Sequence, residues 1–197
     1  MVMAWAIRLG TFLFARINRD GKDGRFDNLK PSLPRYLMTW TLQGLWVYLT
    51  LACALAAMTA ASSKPLGAFA LIGTAAFLFG FGLEIVADQQ KSRFRADPQN
   101  RGRFINSGVW TWSRHPNYFG EITLWTGVAI VGFPVLTGWQ HATLISPIFV
   151  FVLLTRISGV PLLERRSLKQ WGSDADYQAY VRETPVLMPR PPKRTSS

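Results

Sequence analysis

Apolar residues in this chain come in long unbroken blocks, not in the three-and-four spacing of a half-buried helix or the alternation of a strand. From Tyr36 to Ala61 the sequence YLMTWTLQGLWVYLTLACALAAMTAA runs for 26 residues without a charge. At about 1.5 Å per residue such a helix exceeds the roughly 30 Å hydrocarbon core of a bilayer, so a transmembrane helix is predicted over 36–61. The turn-forming Ser62 to Pro65 follows, and 66–87 is a second span whose only charge is Glu84. So short a connection predicts an antiparallel hairpin.

A polar segment, Asp88 to Arg114, separates this hairpin from a third span over 118–136, which is interrupted only by Glu121. Thr137 to His141 reads as a turn. A fourth span over 142–163 contains Arg156, Gly159 and Pro161, which predict a frayed or kinked inner end. Residues 1–15 are apolar apart from Arg8 but too few to cross, and read as a partial helix. Basic residues follow this stretch instead of preceding it and no small-residue cleavage site is present, which argues against a cleaved signal peptide. With a flexible tail over 189–197, the whole chain reads as one domain, an all-α polytopic transmembrane helical bundle.

Composition supports that reading: 49% of the 197 residues are hydrophobic and 17% charged, and the mean hydropathy is +0.12. A disordered chain is excluded, since it would leave this apolar surface in water. The 22 Lys and Arg against 11 Asp and Glu give a net charge of +11. Threading four spans from Tyr36 places 21 of the 22 basic residues on one face. The positive-inside rule makes that face cytoplasmic, with loops 16–35 and 88–117 and the C-terminus on it. The charge excess is then topological, so no nucleic-acid partner is expected, whereas contact with membrane lipids is. Cys53 is the single cysteine and lies inside a span, which excludes a disulfide framework and a cysteine-based metal site.

Candidate chemistry gathers at the cytoplasmic ends of the second and third spans. Glu84 and Asp88 are four residues apart and share a helix face if the second span continues through them, and Asn117 and Glu121 repeat the spacing. A carboxylate within a span normally faces a protein interior, a partner or a wet cavity. Lys91, Arg93, Arg95, Arg101, Arg103 and Arg114 could grip nucleotide phosphate bidentately or meet lipid headgroups, which ask for the same charge. In Trp112 to Glu121, WSRHPNYFGE, Pro116 and Asn117 suit a helix start, and Gly120 admits another backbone or a flat ligand. His115 and His141 are predicted on opposite faces, so no His metal cluster or Ser/His/Asp triad can be assembled. Neither G-x-G-x-x-G nor G-x-x-x-x-G-K-[ST] occurs, so a dinucleotide would bind without a Rossmann or P-loop fold.

On SRHPNYFGE (Ser113 to Glu121), with RFINSGVWTW before it and GVPLLERR and DYQAYVRETPVLMPRPP after it, the chain resembles the steroid 5-alpha-reductase C-terminal family. The resemblance is specifically to its bacterial members that carry the DUF1295 domain. It covers about Glu84 to Pro189, and Trp5 to Pro31 resembles the basic loop of the same family. It implies an inner-membrane enzyme that uses NADPH, held by cytoplasmic loops, to reduce a C=C bond conjugated to a carbonyl in a lipophilic, steroid-like or isoprenoid substrate. The implied cofactor contacts are Glu84, Asp88, Arg95, Arg103, Asn117 and Glu121. Arg114, His115 and Tyr118 of the same run complete the candidate cofactor-binding set.

The Tyr and Glu with which the steroid enzymes polarise the substrate carbonyl have no counterpart here. Trp5 falls near the Tyr position, and the Glu position would precede Met1. No catalytic residue is therefore assigned. The core R-H-P-x-Y-x-G is shared with isoprenylcysteine carboxyl methyltransferases, so S-adenosylmethionine-dependent methyl transfer is the rival chemistry. A non-enzymatic membrane scaffold is the second rival.

Overall fold

The computed structural model describes residues 1–20, 32–61 and 64–192. Its helices are α1 Val2–Asp20, α2 Leu33–Met58, α3 Ala68–Ala96, α4 Pro116–Gly132, α5 Ile145–Val152, α6 Val160–Trp171 and α7 Ala175–Glu183. No strand occurs among the described residues. Among the described residues four segments are long and apolar enough to cross a membrane: Leu33–Met58, Ala68–Ala96, Pro116–Val135 and Gly138–Trp171. Leu37, Leu71, Phe79 and Ile148 point outward, whereas Thr50, Glu84 and Ser146 are buried. That inversion suits a bundle solvated by lipid, where apolar outer faces cost nothing and polar groups gather inside.

Prolines open the spans where a missing N–H is no loss: Pro34 in the first turn of α2, Pro116 in that of α4 and Pro161 in that of α6. The closest helix contact is α3 against α4, through two glycine pairs set seven residues apart on each helix. A Cβ at Gly73 would lie 2.6 Å from the carbonyl oxygen of Gly127, and one at Gly127 would lie 2.6 Å from that of Gly73. Gly80 and Gly120 repeat this, and a Cβ at Gly120 would also stand 2.9 Å from the backbone nitrogen of Glu84. Without a hydrophobic drive between helices in lipid, such close backbone approach is what holds them. Beside this seam Phe77, Leu124, Trp125, Val150 and Ala54 form the apolar core. Trp5 of α1 packs edge-on against Trp125 at 5.0 Å.

Rings mark one end of the bundle. Phe69 stacks on Phe133 at 5.5 Å, and Phe133 meets His141 at 5.7 Å, which sets the α2–α3 and α4–α5 connections side by side. The 97–115 segment, α6, α7 and residues 184–190 lie at the opposite end.

The structure departs from the sequence expectations in four places. Asp88 to Ala96, expected in the polar loop, continue α3, because Gln89, Gln90 and Lys91 are good helix formers and the stop comes only at Asp97-Pro98. The fourth span starts earlier than expected, in a 3-10 stretch over Gly138–Leu144 where the sequence reads as a turn, while its inner end is kinked as expected, α5 giving way to a π turn over Leu153–Ile157, a bend and then α6. Gly159 is required at that bend, since a Cβ there would collide with the carbonyl of Leu154 and stand 2.9 Å from the Tyr118 ring. The partial helix expected over 1–15 runs on to Asp20. The tail expected from 189 is held at Arg190, whose N–H donates to the Trp112 carbonyl at 2.9 Å. Residues 21–31 of the expected loop 16–35, and 193–197 of the tail, lie outside the described residues.

Candidate functional site

Antiparallel packing at Gly80 and Gly120 brings the two four-residue pairs together. Glu84 and Asp88 follow Gly80 on α3, and Asn117 and Glu121 flank Gly120 on α4. Arg8 of α1 reaches into this group as a fork, with Nη1 donating to Glu84 Oε1 and Nη2 to Asp88 Oδ2. Asn117 Nδ2 donates to Asp88 Oδ1 at 3.4 Å. Glu84 is only 4% exposed, and its second carboxylate oxygen is buried without a partner. Glu121 lies within the electrostatic reach of Asp88, Arg8 and Glu84 and makes no hydrogen bond among the described residues. Among the described residues Arg8 thus pairs with two of these three carboxylates, and Lys91 lies in the field of Asp88.

The second group is basic. Arg95, Arg103, Arg114 and His115 line a cavity of about 240 Å³ together with Lys91 and Arg166. A wider groove of about 610 Å³ shares Arg103, Phe104 and Tyr180 with it and runs on to Asn106 and Asp174. Glu164 of α6 is gripped from two sides, by Arg114 Nη1 at 2.6 Å and by His115 Nε2 at 2.8 Å. Lys91 holds its ammonium 4.6 Å over the Trp110 ring, and the Trp110 indole N–H donates to the Ala87 carbonyl at 3.1 Å. Gln90 Oε1 accepts from the Val109 N–H at 3.0 Å, beside Gly108, whose φ of 60° favours glycine.

The C-terminal segment fixes this end. The Arg114 N–H donates to the Pro185 carbonyl at 2.9 Å, and Ser113 Oγ donates to that of Leu187 at 2.9 Å while accepting from the His115 N–H at 3.1 Å. Tyr180 donates to the Trp110 carbonyl at 2.8 Å. Burial pushes its hydroxyl well above the ordinary phenol range, so it stays a neutral donor.

Tyr118 joins the two groups. Its ring stacks nearly parallel on His115 at 5.4 Å, and its hydroxyl lies in the field of Asp88 and Glu121. The nine sequence candidates thus fall into two adjoining groups, Glu84, Asp88, Asn117 and Glu121 in one and Arg95, Arg103, Arg114 and His115 in the other, with Tyr118 between; the second group lines the basic cavity. Gly120, read as admitting a backbone or a flat ligand, admits the backbone of α3. Arg8 and Glu164 are the members that sequence reasoning missed. Arg8 was visible as the lone charge of an apolar helix, whereas Glu164 sits among Arg165, Arg166 and Lys169 with nothing local to single it out. Among the described residues no three His, Cys, Asp or Glu side chains form a group able to hold a metal ion.

A family profile described as "Protein of unknown function (DUF1295)" matches residues 1–184, which include both groups. An uncharacterized protein of Schizosaccharomyces pombe is 28% identical, across 80% of this chain and 56% of its own length. A probable O-methyltransferase of Ustilaginoidea virens is 34% identical, across 44% of this chain and 32% of its own length. The chain therefore spans about half and about a third of the lengths of these two relatives. No solved structure matches.

Proposed function

The chain belongs to the DUF1295 family, and from its site we propose that it is a membrane oxidoreductase that binds NADPH and reduces a C=C bond conjugated to a carbonyl in a lipophilic, steroid-like or isoprenoid substrate. The observation that carries this reading is the contiguity of a basic cavity with a buried carboxylate and carboxamide array, bridged by Tyr118. A nicotinamide dinucleotide asks for those two chemistries side by side: guanidinium forks for its phosphates and acceptors for its carboxamide. The residues present fit it. Arg95, Arg103 and Arg114 would hold phosphate oxygens, while the orphaned Glu84 oxygen and Glu121 would accept from the amide. When bound, the cofactor supplies a hydride.

The protein supplies the rest. Reduction of an enone develops negative charge on the carbonyl oxygen, which a donor in low dielectric stabilises; Arg8 has both terminal nitrogens committed to Glu84 and Asp88, so that role is assigned to no residue. The outward apolar faces of the spans allow a lipophilic substrate to arrive from the bilayer. By the positive-inside rule the basic end faces the cytoplasm, which stocks the cofactor, and the chain is a multi-pass protein of a bacterial inner membrane.

A second reading, methyl transfer from S-adenosylmethionine, is favoured by the Ustilaginoidea virens relative, whose name is that of a probable O-methyltransferase. The basic cavity weighs against it, since S-adenosylmethionine carries no phosphate. Thermal unfolding of the purified protein with NADPH or with S-adenosylmethionine decides between them. A stabilising shift with NADPH and consumption of NADPH on adding a lipophilic enone are expected. A shift with S-adenosylmethionine alone overturns the reductase reading, and no shift with either points to a scaffold.

A further inference from the structure

We infer that the groove between α6 and α7 is a binding site for an anionic phospholipid, its phosphate held by Arg165 and Arg182 and an acyl chain laid along Leu168 and Val181. The inference stands apart from the reductase reading, because neither arginine lines the basic cavity.

Helical spacing makes the groove. Glu164, Arg165 and Leu168 share one face of α6, and Tyr177, Gln178, Val181 and Arg182 share one face of α7. With Arg114 they line a space of about 560 Å³, which is within the range of ligand sites. Leu168 is 64% exposed, and a leucine left open between Ser167 and Lys169 gains by apolar cover.

Charge distinguishes this groove from the other apolar surfaces of the bundle. Its carboxylate, Glu164, is already held by Arg114 and His115. Arg165 and Arg182 are exposed, and neither makes a hydrogen bond or ion pair among the described residues. Two uncommitted guanidiniums from two helices therefore flank one apolar floor. Guanidinium forks match phosphate oxygens bidentately, and the floor beside them asks for hydrocarbon joined to the anion. A free phosphate ester would satisfy the first demand alone.

Position selects a lipid. The fourth apolar segment runs from Gly138 to Trp171, so α6 emerges directly from the hydrocarbon, and Ile157 and Leu162 on the way are 59% and 45% exposed. The groove then opens at headgroup depth, at the end of the bundle that also carries the basic cavity. Basic pockets beside membrane spans recognise anionic headgroups, which reach that depth with phosphate and chain already joined. The groove shares Arg114, Glu164 and Tyr177 with the basic cavity. A lipid seated in it braces the wall between α6 and the start of α4.

The test is thermal unfolding of the full chain in a neutral detergent, titrated with dioleoyl phosphatidylglycerol, with dioleoyl phosphatidylcholine and with glycerol 3-phosphate. The parent is compared with the double variant Arg165→Gln and Arg182→Gln, with Leu168→Gln and with Arg101→Gln. Arg101 is exposed at the same end and outside the groove, so its variant removes a like charge without touching the site. Phosphatidylglycerol alone is expected to raise the Tm of the parent. The concentration giving half the shift should rise about tenfold or more in the double variant and about threefold in Leu168→Gln, and stay unchanged in Arg101→Gln. Every substituted side chain is exposed, and Leu168→Gln keeps both arginines, so the site is tested even if the double variant fails to fold. An equal rise in Arg101→Gln reduces the effect to general charge attraction and overturns the site. An unaltered half-shift in Leu168→Gln overturns it as well, since charge alone would then suffice. So does an equal shift with phosphatidylcholine, an equal shift with glycerol 3-phosphate, or no shift with any of the three.

Discussion

His115 and Glu164 meet across 49 residues of sequence, with the imidazole Nε2 2.8 Å from one carboxylate oxygen while Arg114 takes the other at 2.6 Å. This contact ties the start of α4 to α6 on the far side of the π turn. Replacing Glu164 by Ala leaves Arg114 and His115 without their shared acceptor, and His115 is only 5% exposed. The expected cost is about 1–3 kcal/mol, at the lower end because Glu164 is partly exposed. Glu164→Gln, which keeps an acceptor, should cost less. Thermal unfolding of the two variants checks the order.

The glycine seam makes a separate prediction. Gly120→Ala forces a methyl group against the Gly80 carbonyl and the Glu84 backbone, so α3 and α4 must part just where the carboxylates are set. A loss of about 1–3 kcal/mol is expected, with weaker cofactor binding. Gly44→Ala and Gly82→Ala meet open space and should be neutral or slightly stabilising. Equal Tm values for Gly120→Ala and Gly82→Ala would mean that the helices are not held by this contact.

The helices were legible because hydrophobic length alone specifies a span, whichever face meets which neighbour. The pairs Glu84/Asp88 and Asn117/Glu121 were legible as well, since helical periodicity puts each pair on one face. Partner choice was not. Arg8 stood out as a charge in an apolar helix, but its fork onto two carboxylates depends on how α1 is rotated and how deep it sits, which no local pattern encodes. Glu164 is hidden for a related reason: α6 also carries Arg165, Arg166 and Lys169, and only the bend at Gly159 decides which charge turns back toward His115. The seam of Gly73, Gly80, Gly120 and Gly127 appears only once the two helices are aligned in register.

Phosphate recognition predicts unequal arginines. Arg95→Ala or Arg103→Ala should weaken NADPH binding by about 1.5–3 kcal/mol, the scale of a hydrogen bond to a charged group. Arg182, exposed on α7 and not part of the lining of the basic cavity, should be silent. Titration calorimetry at moderate salt separates the cases, and equal losses at all three positions would indicate general charge attraction instead of a defined site.

Sidedness is checked by cysteine labelling. Cys53 is 1% exposed and should stay unreactive, so a single reporter cysteine can replace Lys64 in one variant and Arg103 in another. The ring contacts of Phe69, Phe133 and His141 put Lys64 at the end opposite Arg103. A membrane-impermeant reagent applied to intact cells is expected to modify the Lys64 position and spare Arg103. Labelling of both would break the four-span arrangement.

Arg8 offers the sharpest test of how α1 is held. Its side chain is 15% exposed, and its partners Glu84 and Asp88 are 6% and 13% exposed. The pair is thus far from the surface regime in which ion pairs contribute little. Removing one member of such a buried group leaves uncompensated charge, so Arg8→Ala is expected to cost about 3–5 kcal/mol. Arg8→Lys should recover only part of this, because a single ammonium cannot span two carboxylates as a planar fork does. The charge-neutralising double variant Arg8→Met with Glu84→Gln should be more stable than Arg8→Ala alone, since one orphaned negative charge leaves together with its partner. Thermal unfolding of the three variants beside the parent gives the order. If Arg8→Ala and the double variant melt together, the loss comes from packing of α1 around Trp5 and Trp125, and the ion pairs do not anchor the helix.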